Sequence, residues 1–472
     1  MLFNSELFFK FFAAFLLLYY LARHHLQARN VLIVLASYLF YGWWDYRFLS
    51  LLIISSVMDF CVGLGLERNQ NPARRKLLLG LSLTGNLALL GFFKYYDFFA
   101  QSLTVALEHL GLPFNLRTLD VILPVGISFY TFQTMSYAID VYRREIKATA
   151  NLVDFLAYVS FFPQLVAGPI ERAQHLLPQF ARTRIITMPM LAEGIWLCLW
   201  GMFKKVVIAD NLAPLVEMVY GNADAAGPMI ALATVAFAFQ IYGDFSGYSD
   251  IARGTAKILG FDIMVNFNVP FAAKNVREFW RRWHISLSTW LRDYLYISLG
   301  GNRSGPGRTY LNLFLTMLLG GLWHGAAWNF VLWGAWHGIG LVTHRLWTQG
   351  REASGGLPKP GAVTSLLSWT ATTLFVLYGW LLFRAGSWEQ VAFLTERLAH
   401  FSFPIWAKSY CINLLVFTLP LIAIQFWQER SANLMAPLTL PRWGQVVLQG
   451  ALLIGIALFW GKEKVPFIYF QF

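Results

Sequence analysis

The sequence predicts an all-α, polytopic membrane protein, and three observations predict it. Of 472 residues, 57% are hydrophobic and only 13% are charged, whereas a soluble domain carries about a quarter charged residues. Aromatic residues are abundant, with 19 Trp and 41 Phe. Apolar runs of roughly 20 residues, the length that spans a bilayer as a helix, recur along the whole chain. A transmembrane barrel would need short alternating segments, and these runs do not alternate. The net charge of +12 would point to nucleic acid in a soluble protein. Here Lys and Arg cluster between apolar runs, as the positive-inside rule requires, so membrane lipid rather than nucleic acid is the expected neighbour. Part of that charge can attract a polyanionic cosubstrate from the cytosol.

Taken in order, candidate spans run over about 6–22, 30–44, 47–66, 77–99, 121–140, 152–168, 189–208, 227–243, 309–343, 362–384, 411–427 and 444–461. Several are short and one is long. The expectation is about 11–13 membrane-embedded segments in a single domain, 1–472, that includes short or re-entrant helices. The first run has no basic leader or small-residue cleavage site, so it is expected to be retained. Arg23 and Arg29 follow the first span; Arg68, Arg74, Arg75 and Lys76 follow the third. Both loops should be cytoplasmic and the N-terminus periplasmic in a bacterial inner membrane. The least membrane-like stretches are 171–188 and 244–308, and "GREASGGLPKPG" near 350–361 reads as a linker. No internal repeat is evident. Cys61, Cys198 and Cys411 lie far apart in apolar runs without metal-ligand spacing, which predicts buried structural thiols and no metal site.

Residues 275–295, "NVREFWRRWHISLSTWLRDYL", carry Val276, Phe279, Trp280, Trp283, Leu287, Trp290 and Leu291 at helical spacing. This predicts one amphipathic helix at the membrane boundary or beneath a helical bundle. Asn275 is placed to cap it, with Glu278 as capping-box partner. His284 falls on the apolar stripe, whereas Arg277, Arg281, Arg282 and Arg292 fall largely off it. A second apolar stretch, "GGLWHGAAWNFVLWGAWHG" (320–338), holds His324 and His337. Burial favours neutral imidazole, which is available as a base. Polar groups in a membrane interior are functional candidates by default, although for one buried histidine alone a structural role bonded to a backbone carbonyl is the more ordinary.

At these residues the chain resembles the membrane-bound O-acyltransferase family, in the bacterial branch that serves alginate O-acetylation. The resemblance rests on an ordered set: "ASYLFYGWW" (36–44), "LPVGISFYTFQTMSYAIDVYR" (123–143), "FFPQLVAGPIER" (161–172), "YGDFSGYSD" (242–250), the 278–303 block, "WHG" (323–325) and "YFQF" (469–472). It implies a catalytic core at about 120–345, with His324 as principal catalytic histidine and His284 as the second. His337 is a weaker candidate for the same cavity. The implied chemistry moves acetyl from a cytosolic thioester, acetyl-CoA, to a hydroxyl, with no permanently bound cofactor. The implied partners are a periplasmic acetyl-accepting transferase protein and, downstream, a polysaccharide. Alginate leads; cellulose and peptidoglycan use similar chemistry.

A neutral histidine can take the hydroxyl proton, and a second histidine, an indole N–H or backbone amides can hold the oxyanion. Trp323 and Trp283 flank the two histidines and can wall a substrate tunnel open to both membrane faces. Arg281, Arg282, Arg292 and Arg303 are candidates for coenzyme A phosphates, set against interfacial anchoring to anionic lipid. Tyr242, Asp244 and Ser246 can line a polar channel; for Ser246 the plainer reading is a turn or helix start. Gln133, Ser136 and Asp140 are cavity or helix-end residues, and His175 reads as a solvated or packing side chain. No G-x-S-x-G elbow is present. A transporter without acyl transfer would show paired ionisable residues and inverted repeats, and a scaffold would tolerate loss of both histidines.

Overall fold

The computed structural model describes residues 1–112, 116–353, 361–461 and 467–468. They divide into two compact units, Met1–Ile195 with Ala252–Met264, and Trp196–Ile251 with Val265–Phe472. Regular structure among the described residues is helical throughout. The "YFQF" motif and most of the 350–361 linker lie outside the described residues.

The first unit holds α1 (Glu6–Ala22), α2 (Leu26–Gly42), α3 (Leu49–Arg68), α4 (Pro72–Leu90), α5 (Tyr96–His109), α6 (Ile127–Arg143), α7 (Leu152–Ser160), α8 (Phe162–Leu165) and α9 (Ala173–Phe180). Its buried polar groups are bonded to one another, as buried polar groups must be. Asp59 accepts from Ser82 at 2.5 Å and from Asn86 at 2.7 Å. Arg29, fully buried in α2, donates to the carbonyls of Phe180 and Arg182 at 3.0 and 2.9 Å. Arg75 donates to the carbonyls of Leu66, Val141 and Tyr142. These two arginines are therefore internal clamps rather than loop charges, and the orientation signal is carried by Arg23, Arg68, Arg74 and Lys76. Gln133 donates to the Tyr158 carbonyl at 2.8 Å and Ser136 to the Gln133 carbonyl at 2.8 Å, which gives both a structural role. His175 lies on a helix, α9, and bridges Glu171 at 2.9 Å and Asp262 at 3.6 Å.

Helices α10 (Met188–Phe203) and α12 (Gly227–Ile258) begin in one unit and end in the other; α11 (Asp210–Tyr220) lies between them in sequence. The second unit continues with α13 (Val276–Arg282), α14 (Ile285–Trp290), α15 (Gly305–His324), α16 (Trp328–Ala353), α17 (Ala362–Arg384), α18 (Trp388–Arg397), α19 (Ala407–Ser431) and α20 (Arg442–Phe459). Among the described residues, six helical stretches are long and apolar enough to cross a membrane: 46–68, 72–109, 227–258, 362–384, 407–431 and 442–459. The protein is a multi-pass membrane protein. Two other expected spans are interrupted. The 152–168 run divides at Phe161, next to Pro163, and the 309–343 run divides after His324. Cys61 is exposed and Cys198 and Cys411 are partly so, contrary to the expectation of buried thiols; an apolar helix face turned away from the protein core accepts a thiol equally well.

Glycines decide how α15 meets α16. A Cβ on Gly321 would lie 2.2 Å from the Phe330 carbonyl oxygen, and one on Gly334 would lie 2.5 Å from the Met317 oxygen. A Cβ on Gly338 would stand 3.2 Å from the Phe314 backbone. Small residues let two helix backbones touch where no side chain could fit. This contact fixes the end of α15, and His324 is its last residue.

Candidate active site

All seven residues of the predicted apolar stripe, from Val276 to Leu291, are buried. The helix that carries them is nevertheless not continuous. It stops at Arg282 and resumes at Ile285, with His284 in the left-handed region at φ 43° and ψ 54°. For a residue other than glycine this conformation costs about 1–3 kcal/mol and persists only where surroundings over-determine it. Asn266 supplies that constraint. Its carbonyl accepts from Ile285 N at 2.9 Å, and its side-chain oxygen accepts from Ser286 N and Oγ at 3.2 and 2.9 Å. Its amide in turn donates to Ser249 at 3.2 Å. At the start of α13, Asn275 accepts from Glu278 N at 2.8 Å as expected, while the Glu278 carboxylate accepts from Lys274 N instead of completing the box.

The break turns His284 inward. The ring is fully buried, 4.6 Å from Phe245 and 6.1 Å from the ring of His324, centroid to centroid. Its segment lies outside the spanning helices, and burial pushes its pKa down to about 3, so it is neutral at any physiological pH. Trp323 stands 5.9 Å from His284 and 5.0 Å from His324. Trp333 is edge-on to His324 at 5.0 Å, and Phe383 at 5.6 Å. His337 lies on the other side of Trp333 at 4.8 Å and meets Trp280 at 5.1 Å. Trp283 packs on Trp380 at 4.8 Å. The two histidines predicted from separate stretches thus share one chamber of packed aromatic rings, with His337 one ring away.

The indole N–H groups of Trp280, Trp333 and Trp380 and Nδ1 of His337 are buried without a hydrogen-bond partner among the described residues. Leaving such donors unmet costs about 1–3 kcal/mol each. Two imidazoles and several open donors make the centre of this aromatic cluster polar. Sequence reading treated Trp280 only as an apolar stripe residue and did not single out Trp333, Trp380 or Asn266.

The remaining candidates form a neighbouring network. Ser246 is in mid-helix α12, not at a turn or helix start, and accepts from Lys204 at 2.8 Å. Lys204 also pairs with Asp250 at 2.7 Å, and Lys205 pairs with Asp244 and Asp210 at 2.8 Å each. Asp244 accepts from Ile468 N at 2.6 Å, and Tyr242 accepts from Gln425 at 2.5 Å. These side chains hold α10, α12, α19 and the 467–468 segment together, and Tyr242 touches the chamber wall through Trp283 at 6.0 Å. Arg281 is exposed. Arg282 is engaged by Glu278 and Glu429 at 2.8 and 2.6 Å, so a phosphate there would have to displace two carboxylates.

The site is thus two buried imidazoles with ring centroids 6.1 Å apart, packed among aromatic rings in a multi-pass helical protein. Residues 38–384 match the model of the membrane-bound O-acyltransferase family. The chain belongs to that family and is a membrane O-acyltransferase. It is 45% identical to the probable alginate O-acetylase AlgI of Pseudomonas aeruginosa, over 87% of this chain and 76% of that protein. It is 37% identical to the peptidoglycan O-acetyltransferase of Helicobacter pylori, over 82% and 78%. A teichoic acid D-alanyltransferase of Bacillus subtilis is 28% identical, over 55% and 68%.

Proposed function

We propose that this enzyme transfers acetyl from acetyl-CoA toward an extracellular polysaccharide, alginate in the first instance, through a periplasmic acetyl-accepting protein. The 6.1 Å approach of His284 and His324 inside a buried chamber carries this reading. The names of the relatives support acetyl as the group moved and alginate as the polymer, with peptidoglycan as the alternative that the Helicobacter protein raises. The membrane is the bacterial inner membrane, with the N-terminus periplasmic.

In the proposed reaction His324 accepts the proton of the acceptor hydroxyl. The hydroxyl oxygen attacks the thioester carbonyl carbon, and the negative charge collects on the carbonyl oxygen. As the tetrahedral intermediate collapses, the C–S bond breaks and the thiolate takes the proton back from the imidazolium. His324 terminates α15, where the carbonyl end of the helix dipole stabilises a transient positive charge. His284, held neutral, donates or accepts one hydrogen bond to orient His324 or the carbonyl. The open indole N–H of Trp333 is the nearest candidate for the oxyanion, a role worth about 2.7–4 kcal/mol where a single donor has been removed.

The test is transfer in proteoliposomes. Labelled acetyl-CoA is supplied on one side and purified periplasmic partner plus polymannuronate on the other. Label should appear on the partner and then on the polymer. Thioester consumption without any acetylated acceptor would refute the route, and movement of unreacted substrate across the membrane would favour a transporter.

A further inference from the structure

The second unit contains a cavity of ≈ 540 Å³ that none of the proposed catalytic groups lines. It lies between α13, α14, α15 and α16, and its lining includes Arg277, Arg292, Arg345, Trp280 and Met317. The volume is that of a small-molecule site. Its charge is lopsided: three arginines against the exposed carboxylate of Glu352. Arg292 is answered by its neighbour Asp293 at 2.6 Å. Arg277 and Arg345 have no ion-pair partner among the described residues, and Nε of Arg345 is buried without a hydrogen bond. Arg277 is exposed and Arg345 half-buried at this cavity, and guanidinium groups gathered there without an anion fit a ligand that brings one.

The cavity adjoins the chamber. Trp280 lines it and also touches His337 at 5.1 Å and Trp333 at 5.6 Å, and Trp333 is edge-on to His324. Met317 lines it on α15, seven residues before His324, which is about 10 Å along the helix axis at 1.5 Å per residue. Asn302, Thr348, Gln349 and Glu352 also line it, next in sequence to Arg303 and Arg351. Such a cluster marks the cytoplasmic side.

We propose that Arg277 and Arg345 bind phosphate groups at the carrier end of the thioester donor, so that this cavity reads the carrier while the acyl end extends past Trp280 to His324. This rests on the acyltransfer reading above and adds the part of the site that selects the donor. Phosphate could come from coenzyme A or from an anionic lipid headgroup at the same depth, and the experiment separates them.

Purified full-length protein is assayed with acetyl-CoA and with acetyl-pantetheine, which carries the same thioester and no phosphate. The assay is run in nanodiscs of phosphatidylcholine and again with phosphatidylglycerol added. Arg277→Gln and Arg345→Gln should each lower the preference for acetyl-CoA over acetyl-pantetheine about tenfold, the size of one charged hydrogen bond. The loss should appear in KM rather than kcat. An unchanged preference would overturn the proposal, as would an effect seen only with phosphatidylglycerol. Equilibrium binding of coenzyme A without turnover distinguishes the two layers. Binding that depends on both arginines in a protein that turns over neither donor would refute the acyltransfer reading and leave the phosphate site standing. Turnover with binding indifferent to both arginines would refute the site alone.

Discussion

Substituting Gly321 by alanine should damage catalysis without altering any side chain around the histidines. The added methyl would lie 2.2 Å from the Phe330 carbonyl oxygen and 2.9 Å from Gly334 Cα and N, all backbone atoms that no rotamer change can move. Ordinary contact begins at 3.4 Å, so α15 and α16 must separate by about 1.2 Å at this point (3.4 − 2.2). Overpacking of this kind costs about 1–3 kcal/mol. His324 lies three residues further on the same helix, and a misplacement of about 1 Å can cost roughly 100-fold in rate. The assay is steady-state thioester turnover beside a thermal unfolding curve in the same detergent. Gly321→Ala should lower kcat by about 10- to 100-fold in protein that still unfolds cooperatively. Gly450→Ala on α20, with nothing within 4 Å of the new methyl, should behave as wild type. A folded Gly321→Ala enzyme with kcat within about twofold would refute the claim that this helix contact positions the histidine.

Asn266→Ala should lower activity by releasing the backbone at His284, whose left-handed conformation stores about 1–3 kcal/mol. In a double-mutant cycle with His284→Ala the two losses should be strongly non-additive, and additive losses would show that Asn266 acts elsewhere. For His175, hydrogen bonds to Asp262 and then Glu171 raise the pKa to about 10, above its ordinary value of 6.5. The stabilisation is therefore fully present below pH 6.5 and lost as pH rises through about 10. Because the side chain is 44% exposed, the effect is screened. The difference in unfolding midpoint between wild type and His175→Gln should shrink across that window, and a constant difference would contradict the bridge. Trp333→Phe keeps an aromatic ring and removes the open N–H, and should lower kcat more than KM for either donor; a pure KM effect would make Trp333 a wall residue.

Periodicity alone reveals the buried stripe from Val276 to Leu291, and the placement of His284 and His324 in apolar stretches of sequence marks both. The glycines from 320 to 338 marked a break or a close approach, and the structure contains both. Periodicity could not reveal the interruption at His284. That turn is imposed by Asn266, eighteen residues earlier, through bonds that leave no spacing signature. Likewise Arg29 and Arg75 sit at the ends of apolar runs and read as loop cations. Only the carbonyls that converge on them, from Phe180, Arg182, Val141 and Tyr142, show that they are clamps. The Lys204–Lys205 pair was equally hidden, because its partners Asp244 and Asp250 are about forty residues away and become neighbours only when α10 meets α12 at Gly201 and Gly247.

The central claim is that His324 and His284 form one proton-transferring pair. Rapid-mixing single-turnover cleavage of a thioester donor, with acceptor present, tests it most directly in wild type, His324→Gln, His284→Gln and the double variant. The account predicts that His324→Gln abolishes the chemical step with donor binding and folding intact. It also predicts that His284→Gln slows that step, and that the double variant is no slower than His324→Gln alone. A His324→Gln enzyme that cleaves donor at the wild-type rate would contradict it.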